Sequence, residues 1–255
     1  MYTPADRDRI RSSIVARARG DERITGGALT GSAAAGREDA WSDIDLSFGV
    51  RTAADVVPTL ADFTAYMRDA HGVVDTLDVR AGSWIYRVFL LESTLQVDLA
   101  FAPASDFGAR APTFRLLFGE AANIPHSPLP GAADLVGYAW LYALHVRSSL
   151  ARGRLWQAEY MLSAMRDQVF ALACLRLGEN PREGRGLHLL PAELQAAFEP
   201  ALVRAISRDD IARAFVAVTG LALREARYAD VDLAARIEPA MLALTKNWVG
   251  SGTAG

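Results

Sequence analysis

Residues 31–46 read GSAAAGREDAWSDIDL, a turn of small residues followed by two aspartates one residue apart at the mouth of an apolar run. The run continues through Ser47, Phe48, Gly49 and Val50 and suits a β-strand. Alternation along a strand puts Asp43, Asp45 and Ser47 on one face and Ile44, Leu46 and Phe48 on the other. The second face can enter a core. The first then carries two carboxylates whose Cα atoms lie roughly 7 Å apart, at about 3.3 Å per residue. Like charges held that close repel, and one takes up a proton unless a cation sits between them.

The later run LQVDLAF, residues 95–101, repeats the device. Leu95, Val97, Leu99 and Phe101 face one way, and Gln96, Asp98 and Ala100 the other. If this strand lies beside the first, Asp98 joins Asp43 and Asp45. Three converging carboxylates make a hard, all-oxygen site suited to Mg²⁺, which keeps waters and substrate phosphates among its ligands. An isolated D-x-D in a strand is most often a solvated edge or a pair of caps. The preceding Gly31-Ser32 turn, which leads toward a helix, favours the functional reading, because its backbone N–H groups and hydroxyl can meet an anion such as phosphate.

Composition narrows the surroundings of this site. The chain has 255 residues, a length that suits two domains, and its 51% hydrophobic and 22% charged residues are those of a globular protein with a real core. No run of about twenty uncharged apolar residues occurs, and the N-terminus, with Asp6, Arg7, Asp8, Arg9 and Arg11, lacks a secretory apolar segment. A soluble, cytoplasmic protein without a membrane partner is therefore expected. The single cysteine, Cys174, excludes an internal disulfide, and four histidines form no cluster with it at zinc spacing, so any metal is held by oxygen. Cys174 sits in the apolar run FALACLRL and reads as a packed thiol. A net charge of −3 without a basic block argues against a large nucleic-acid surface.

Periodicity predicts a helix over 4–19, a short strand over 28–30, a strand over 44–50, a helix over 54–70, and strands over 73–80, 84–91 and 95–101. The last two strands are joined by a hairpin. Residues 102–131 carry five prolines and read as irregular, linker-like chain. Helices are predicted over 132–151, 155–177, 191–206, 209–228 and 231–247, with a loose tail GSGTAG. The outline is α+β: a mixed-sheet half with helices, residues 1–115, a linker over 116–130, and an all-helical half over 131–250.

In combination, GSAAAGREDAWSDIDL and LQVDLAF resemble the nucleotidyltransferases of the DNA-polymerase-β type, and within them the small bacterial enzymes that modify aminoglycosides or lincosamides. The pattern falls on Gly31, Ser32, Gly36, Arg37, Ser42, Asp43, Asp45 and Asp98, and covers roughly residues 24–101. The run RGRLWQAEYMLSAMRDQVFALACLRLG more loosely resembles the helical domain of such proteins. The resemblance implies a polymerase-β-like catalytic domain followed by a helical bundle that binds the acceptor.

It further implies that Asp43, Asp45 and Asp98 hold Mg²⁺, two ions in all, against the triphosphate of ATP or another nucleoside triphosphate. Gly31, Ser32, Arg37 and Ser42 would contact the nucleotide, although Arg37 reads equally as a solvated loop residue. The implied net reaction is transfer of a nucleoside monophosphate, AMP in the leading case, to a hydroxyl of a small molecule such as an aminoglycoside, with release of pyrophosphate. Asp98 and Glu159 are the two candidates for general base.

On a helical wheel Arg152, Trp156, Glu159, Ser163 and Arg166 form a stripe too polar for a core face. Trp156 and Glu159 are therefore candidates for acceptor binding, in a cleft between the domains, against the plainer reading of a solvated face. Tyr138, Trp140 and Tyr142 read as core packing. Two other functions fit the same motifs: modification of a protein or RNA, as in toxin–antitoxin systems, and nucleotide binding by a regulatory protein without turnover. Either a monomer or a homodimer is compatible with the sequence.

Overall fold

The computed structural model describes residues 2–248; the tail GSGTAG, expected to be loose, lies outside them. The chain divides into two compact units, Met1–Ser127 and Pro128–Gly255. The first contains helix α1 (Pro4–Arg19), strand β1 (Ile24–Thr30), the one-turn helix α2 (Gly31–Ala34), β2 (Ile44–Val50), α3 (Ala53–His71), β3 (Val73–Ala81), β4 (Trp84–Leu91), β5 (Gln96–Pro103) and β6 (Phe114–Gly119). The second contains α4 (Ala132–Ala151), α5 (Leu155–Leu177), α6 (Ala192–Phe198), α7 (Arg208–Ala229) and α8 (Val231–Thr245). The architecture is α+β, as the alternation of patterns implies. No helix of the described residues is long and apolar enough to cross a membrane.

The six strands form one sheet in the order β3-β4-β5-β2-β1-β6. Strands β2 and β5 are paired parallel, and the other pairings are antiparallel. One face of the sheet is apolar. Ile44, Leu46, Phe48 and Val50 of β2 and Val97, Leu99 and Phe101 of β5 are buried there against Ile14 of α1 and Leu60, Phe63 and Met67 of α3. Phe48, Phe63 and Phe101 pack ring against ring with centroids 5.3–5.7 Å apart, so this layer is closed by aromatic contacts as well as by area. The N-terminus of α1 is fixed by a capping box in which the Thr3 hydroxyl accepts from the Asp6 N–H and Asp6 accepts from the Thr3 N–H.

Two parts of this unit differ from the sequence reading. Strand β1 begins at Ile24, four residues early, and includes Gly26 and Gly27. Glycine is depleted in strands, but a Cβ at either position would lie within 3 Å of a phenylalanine ring, Phe107 over Gly26 and Phe118 over Gly27. The proline-rich stretch contains a strand, β6, which pairs antiparallel with β1 from Gly26–Gly119 to Thr30–Phe114. Pro112 lies before the strand and not in it, and β6 is an edge, where a proline-rich approach interrupts no ladder.

The helical unit is built on α4, α5, α7 and α8, whose core includes Val146, Leu150, Leu162, Met165, Val169, Phe215, Val218 and Met241. Cys174 is buried in this core, and burial pushes its thiol pKa up, as suits a packed side chain. The single helix expected over 191–206 is instead α6 followed by a 3-10 turn, Glu199–Ala201. Pro200 explains the break, since it has no N–H to donate to the helical ladder. Tyr138 and Trp140, expected in the core, are exposed by 52% and 40%; the core positions of α4 are taken by Ala139, Ala143 and Val146.

Among the described residues of this unit one charge, Glu225, is fully buried. The side chain of Glu225 accepts from Arg176 Nε at 2.8 Å and Nη2 at 3.2 Å, with Arg224 at 3.3 Å, and the Arg176 guanidinium also lies 4.4 Å from the Tyr228 ring. Arg176→Met is expected to lower the unfolding free energy by about 3 kcal/mol, the low end for breaking a buried pair because Arg224 remains in reach. A denaturant titration of the full chain measures it.

Candidate functional site

Parallel pairing of β2 with β5 aligns Asp45 opposite Asp98, and Asp43 lies two residues ahead of Asp45, just before β2. All three side chains leave the apolar core, which takes the alternate residues. One carboxylate oxygen from each of Asp43, Asp45 and Asp98 lies within 4.8 Å of the others, and all three residues are half-buried. Gln96 donates from Nε2 to both oxygens of Asp98, at 3.0 and 3.2 Å, which fixes that carboxylate on the sheet face. At an effective dielectric of about 20, two unit charges about 5 Å apart repel by about 3 kcal/mol.

The donor set fits a hard divalent cation. Its ligands are all carboxylate oxygens, and an octahedral ion with bonds of about 2.0–2.1 Å spans up to roughly 4.2 Å between opposite ligands, so small side-chain rotations close the cluster on it. The backbone of Gly31 completes the wall. Its φ is +60°, and a Cβ there would lie 2.0 Å from Asp45 Oδ2, so only glycine lets the β1–α2 corner approach this carboxylate.

The other motif residues are placed less uniformly. Ser32 is half-buried in α2, and its carbonyl accepts from the Arg37 N–H at 3.0 Å, closing the turn that holds Gly36 at φ +65°. Arg37 itself is exposed. The Ser42 hydroxyl is engaged within the loop, donating to Asp39 Oδ1 at 3.1 Å and accepting from the Asp39 N–H at 2.9 Å. The Trp41 N–H and the Ser42 hydroxyl together hold the Asp39 carboxyl below its ordinary pKa. Arg7, buried at the foot of α1, anchors this loop by donating to the carbonyls of Asp39 and Ser42, and its Nε lies 3.3 Å from Glu38, out of line for a hydrogen bond. Arg7 and Tyr2, which donates to the Ser42 carbonyl at 3.3 Å, thus set the approach of Asp43, a role the linear pattern did not reveal.

Trp156 and Glu159 are carried by α5 of the helical unit. Trp156 is 75% exposed. Glu159 accepts from the Ser163 hydroxyl at 2.6 Å, and Ser163 in turn accepts from Arg166 at 3.1 Å, so the polar stripe is a hydrogen-bonded run along one helix.

Beside the aspartates, within the first unit, lies a cavity of about 200 Å³ that sequence reasoning missed. Asp45 and Asp98 form part of its lining, with Ser47, Trp84, Tyr86 and Arg110 further along the same face. Trp84 and Tyr86 are stacked, centroids 5.6 Å apart and 19° between planes, and the Arg110 guanidinium lies 5.9 Å from the Trp84 ring. Burial pushes the Tyr86 phenol above its usual pKa, against the opposing charge of Arg110, whose guanidinium donates a hydrogen bond to it. The W-x-Y spacing on β4 was the available signal, since residues two apart share a face. Arg110 stands in the proline-rich stretch, where pattern gives no direction.

The sequence matches no protein-family model and no curated protein. Among solved structures, an aminoglycoside 6-adenyltransferase from Bacillus subtilis aligns over 96% of this chain and 99% of its own, with a TM-score of 0.44 and 14% identity.

Gly31→Ala is expected to weaken Mn²⁺ binding, followed by electron paramagnetic resonance on the full chain, by about tenfold or more, the scale of losing support around metal ligands. The left-handed backbone adds a stability loss of about 1–2 kcal/mol. Unchanged Mn²⁺ affinity would show that the Gly31 corner does not shape the cluster.

Proposed function

We propose that this protein is a Mg²⁺-dependent nucleotidyltransferase that moves a nucleoside monophosphate, AMP from ATP in the leading case, to a hydroxyl of a small molecule. The observation that carries the reading is the convergence of Asp43, Asp45 and Asp98 within 4.8 Å, against the Gly31 corner. Mg²⁺, when bound, neutralises the triphosphate and the charge that builds on the leaving oxygen. Asp43 and Asp45 hold the nucleotide-bearing cation, and Asp98 shares in metal binding.

In the transfer, the acceptor oxygen forms a bond to the α-phosphorus as the bond from that phosphorus to the bridging oxygen breaks. The bonding electron pair leaves with pyrophosphate. The acceptor proton passes to a carboxylate base. Asp98 is favoured over Glu159 for that role, because it belongs to the cluster, whereas the Glu159 carboxylate is engaged by Ser163. Ser32 and the backbone around it are assigned to the phosphates, and Arg37, exposed on the adjoining turn, can swing to the same charge. Ser42 supports the loop and through it Asp43. Trp156 and Glu159 are the helical unit's candidates for acceptor binding, and an aminoglycoside is one acceptor to assay.

The test is pyrophosphate release with Mg²⁺, each nucleoside triphosphate and a panel of hydroxylated acceptors, aminoglycosides and lincosamides included. Acceptor-dependent release is expected, lost in Asp43→Asn and Asp45→Asn. In Asp98→Asn turnover is expected to fall by about 10²–10⁴-fold, the range for a missing general base, with a much smaller fall in Glu159→Gln. Mg²⁺-dependent ATP binding without turnover on any small molecule, protein or RNA would instead identify a nucleotide-binding regulator.

A further inference from the structure

The cavity beside the aspartates has a composition that the transfer reaction alone does not require. Its floor is the polar face of the sheet. Ser47, on that face two residues beyond Asp45, is 2% exposed, and its hydroxyl has no hydrogen-bond partner among the described residues. A buried hydroxyl left unpaired is costly, of the order of 1–3 kcal/mol, and calls for a partner beyond the protein's own groups. One wall is aromatic, made of Trp84 and Tyr86, with Phe114 adjoining. Among the described residues that line it, the cation is Arg110. At about 200 Å³ the space is below the roughly 300–1,000 Å³ of pockets that take drug-sized ligands, so it admits one ring and its substituents.

From these features, and resting on the proposed transfer reaction, we infer that the cavity receives the reacting end of the acceptor, a single-ring hydroxyl compound with an anionic substituent. The ring packs on the Trp84–Tyr86 wall, the anionic group meets Arg110, and Ser47 supplies a hydrogen bond to a polar substituent. A hydroxyl on such a ring is delivered to the side of the cavity lined by Asp45 and Asp98. The charge preference is opposite to that of a polycation. A site for several ammonium groups would gather carboxylates around the ring, whereas here the carboxylates are those of the metal cluster and the remaining charged group is a guanidinium.

Two probes of one ring and one hydroxyl but opposite charge test this: 4-hydroxyphenylacetate and tyramine. Their affinities for the full chain are measured by ligand-observed nuclear magnetic resonance in the presence of Mg²⁺ and a non-hydrolysable ATP analogue. The anion is expected to bind about tenfold or more tighter than the cation, the scale of one charge-assisted hydrogen bond. Arg110→Glu is expected to remove or reverse that preference while the affinity for the ATP analogue stays within about twofold. Ser47→Ala, which deletes one hydroxyl and keeps the fold, is expected to weaken the anion by several-fold. Equal affinity for the two probes, or tighter binding of tyramine, overturns the inference. So does a fall in affinity for the ATP analogue in Arg110→Glu, which would give the cavity to the nucleotide. Failure of the underlying reaction has a separate signature, an affinity for the ATP analogue that is indifferent to Mg²⁺ and to Asp45→Asn.

Discussion

The repulsion among Asp43, Asp45 and Asp98 is the constraint around which the first unit is arranged. Carboxylates held within 4.8 Å drift apart unless the backbones that carry them cannot move. Parallel pairing of β2 with β5 supplies that rigidity, because a register in which Asp45 faces Asp98 also sets Leu46 against Leu99 and Phe48 against Phe101 on the opposite face. Sliding one strand to relieve the charges would turn those buried side chains out of the core. Hydrophobic burial on one side of the sheet therefore opposes electrostatic repulsion on the other.

The approaches to the cluster obey the same logic. Asp43 lies outside β2, so no ladder fixes it, and the loop before it is tied down by Arg7 from α1 and by the Asp39–Ser42 hydrogen bonds. The Gly31 corner presses backbone against the Asp45 carboxylate at a distance that a side chain would forbid. Gln96 holds Asp98 from two residues away, with two donor contacts from one amide. Each device spends an ordinary polar contact on orientation, and together they leave a site organised before any ligand arrives.

How far this was legible in sequence depended on the range of the interactions. Alternation in β2 and in β5 is local, so the split of Asp43, Asp45 and Asp98 from the apolar residues could be read directly. That the two strands are neighbours is a long-range fact. It could only be posed as a condition, and the sheet order met it. Strand β6 was hidden by Pro112 and by its short, irregular alternation, and the start of β1 by Gly26 and Gly27, whose use depends on the distant rings of Phe107 and Phe118. Tyr138 and Trp140 show the opposite failure. Aromatic content suggested burial, but small residues, Ala139 and Ala143, fill the close contacts of α4, and the larger side chains remain outside. Similarly, the linear pattern found Ser42 but could not show that its hydroxyl is engaged by Asp39.

The cavity follows from the same two-faced sheet. Once Leu46, Leu99 and Phe101 are assigned to the core, Ser47 and Ala100 must continue the aspartate face, and β4 adds Trp84 and Tyr86 beside them. The stretch after β5 then returns over this face, with Phe107 packed among Ala28, Trp84 and Ala102 and Arg110 at the rim. A small apolar recess with one buried hydroxyl and one guanidinium thus arises next to the carboxylates. Its polarity changes over a short distance, from the acidic cluster through an aromatic wall to a cation. A ligand that matches all three zones must carry a hydroxyl or other polar group toward Asp45 and Asp98, a flat or apolar middle and an anionic end. The same gradient disfavours a ligand that is positively charged throughout, because such a ligand would gain at one end of the recess and lose at the other.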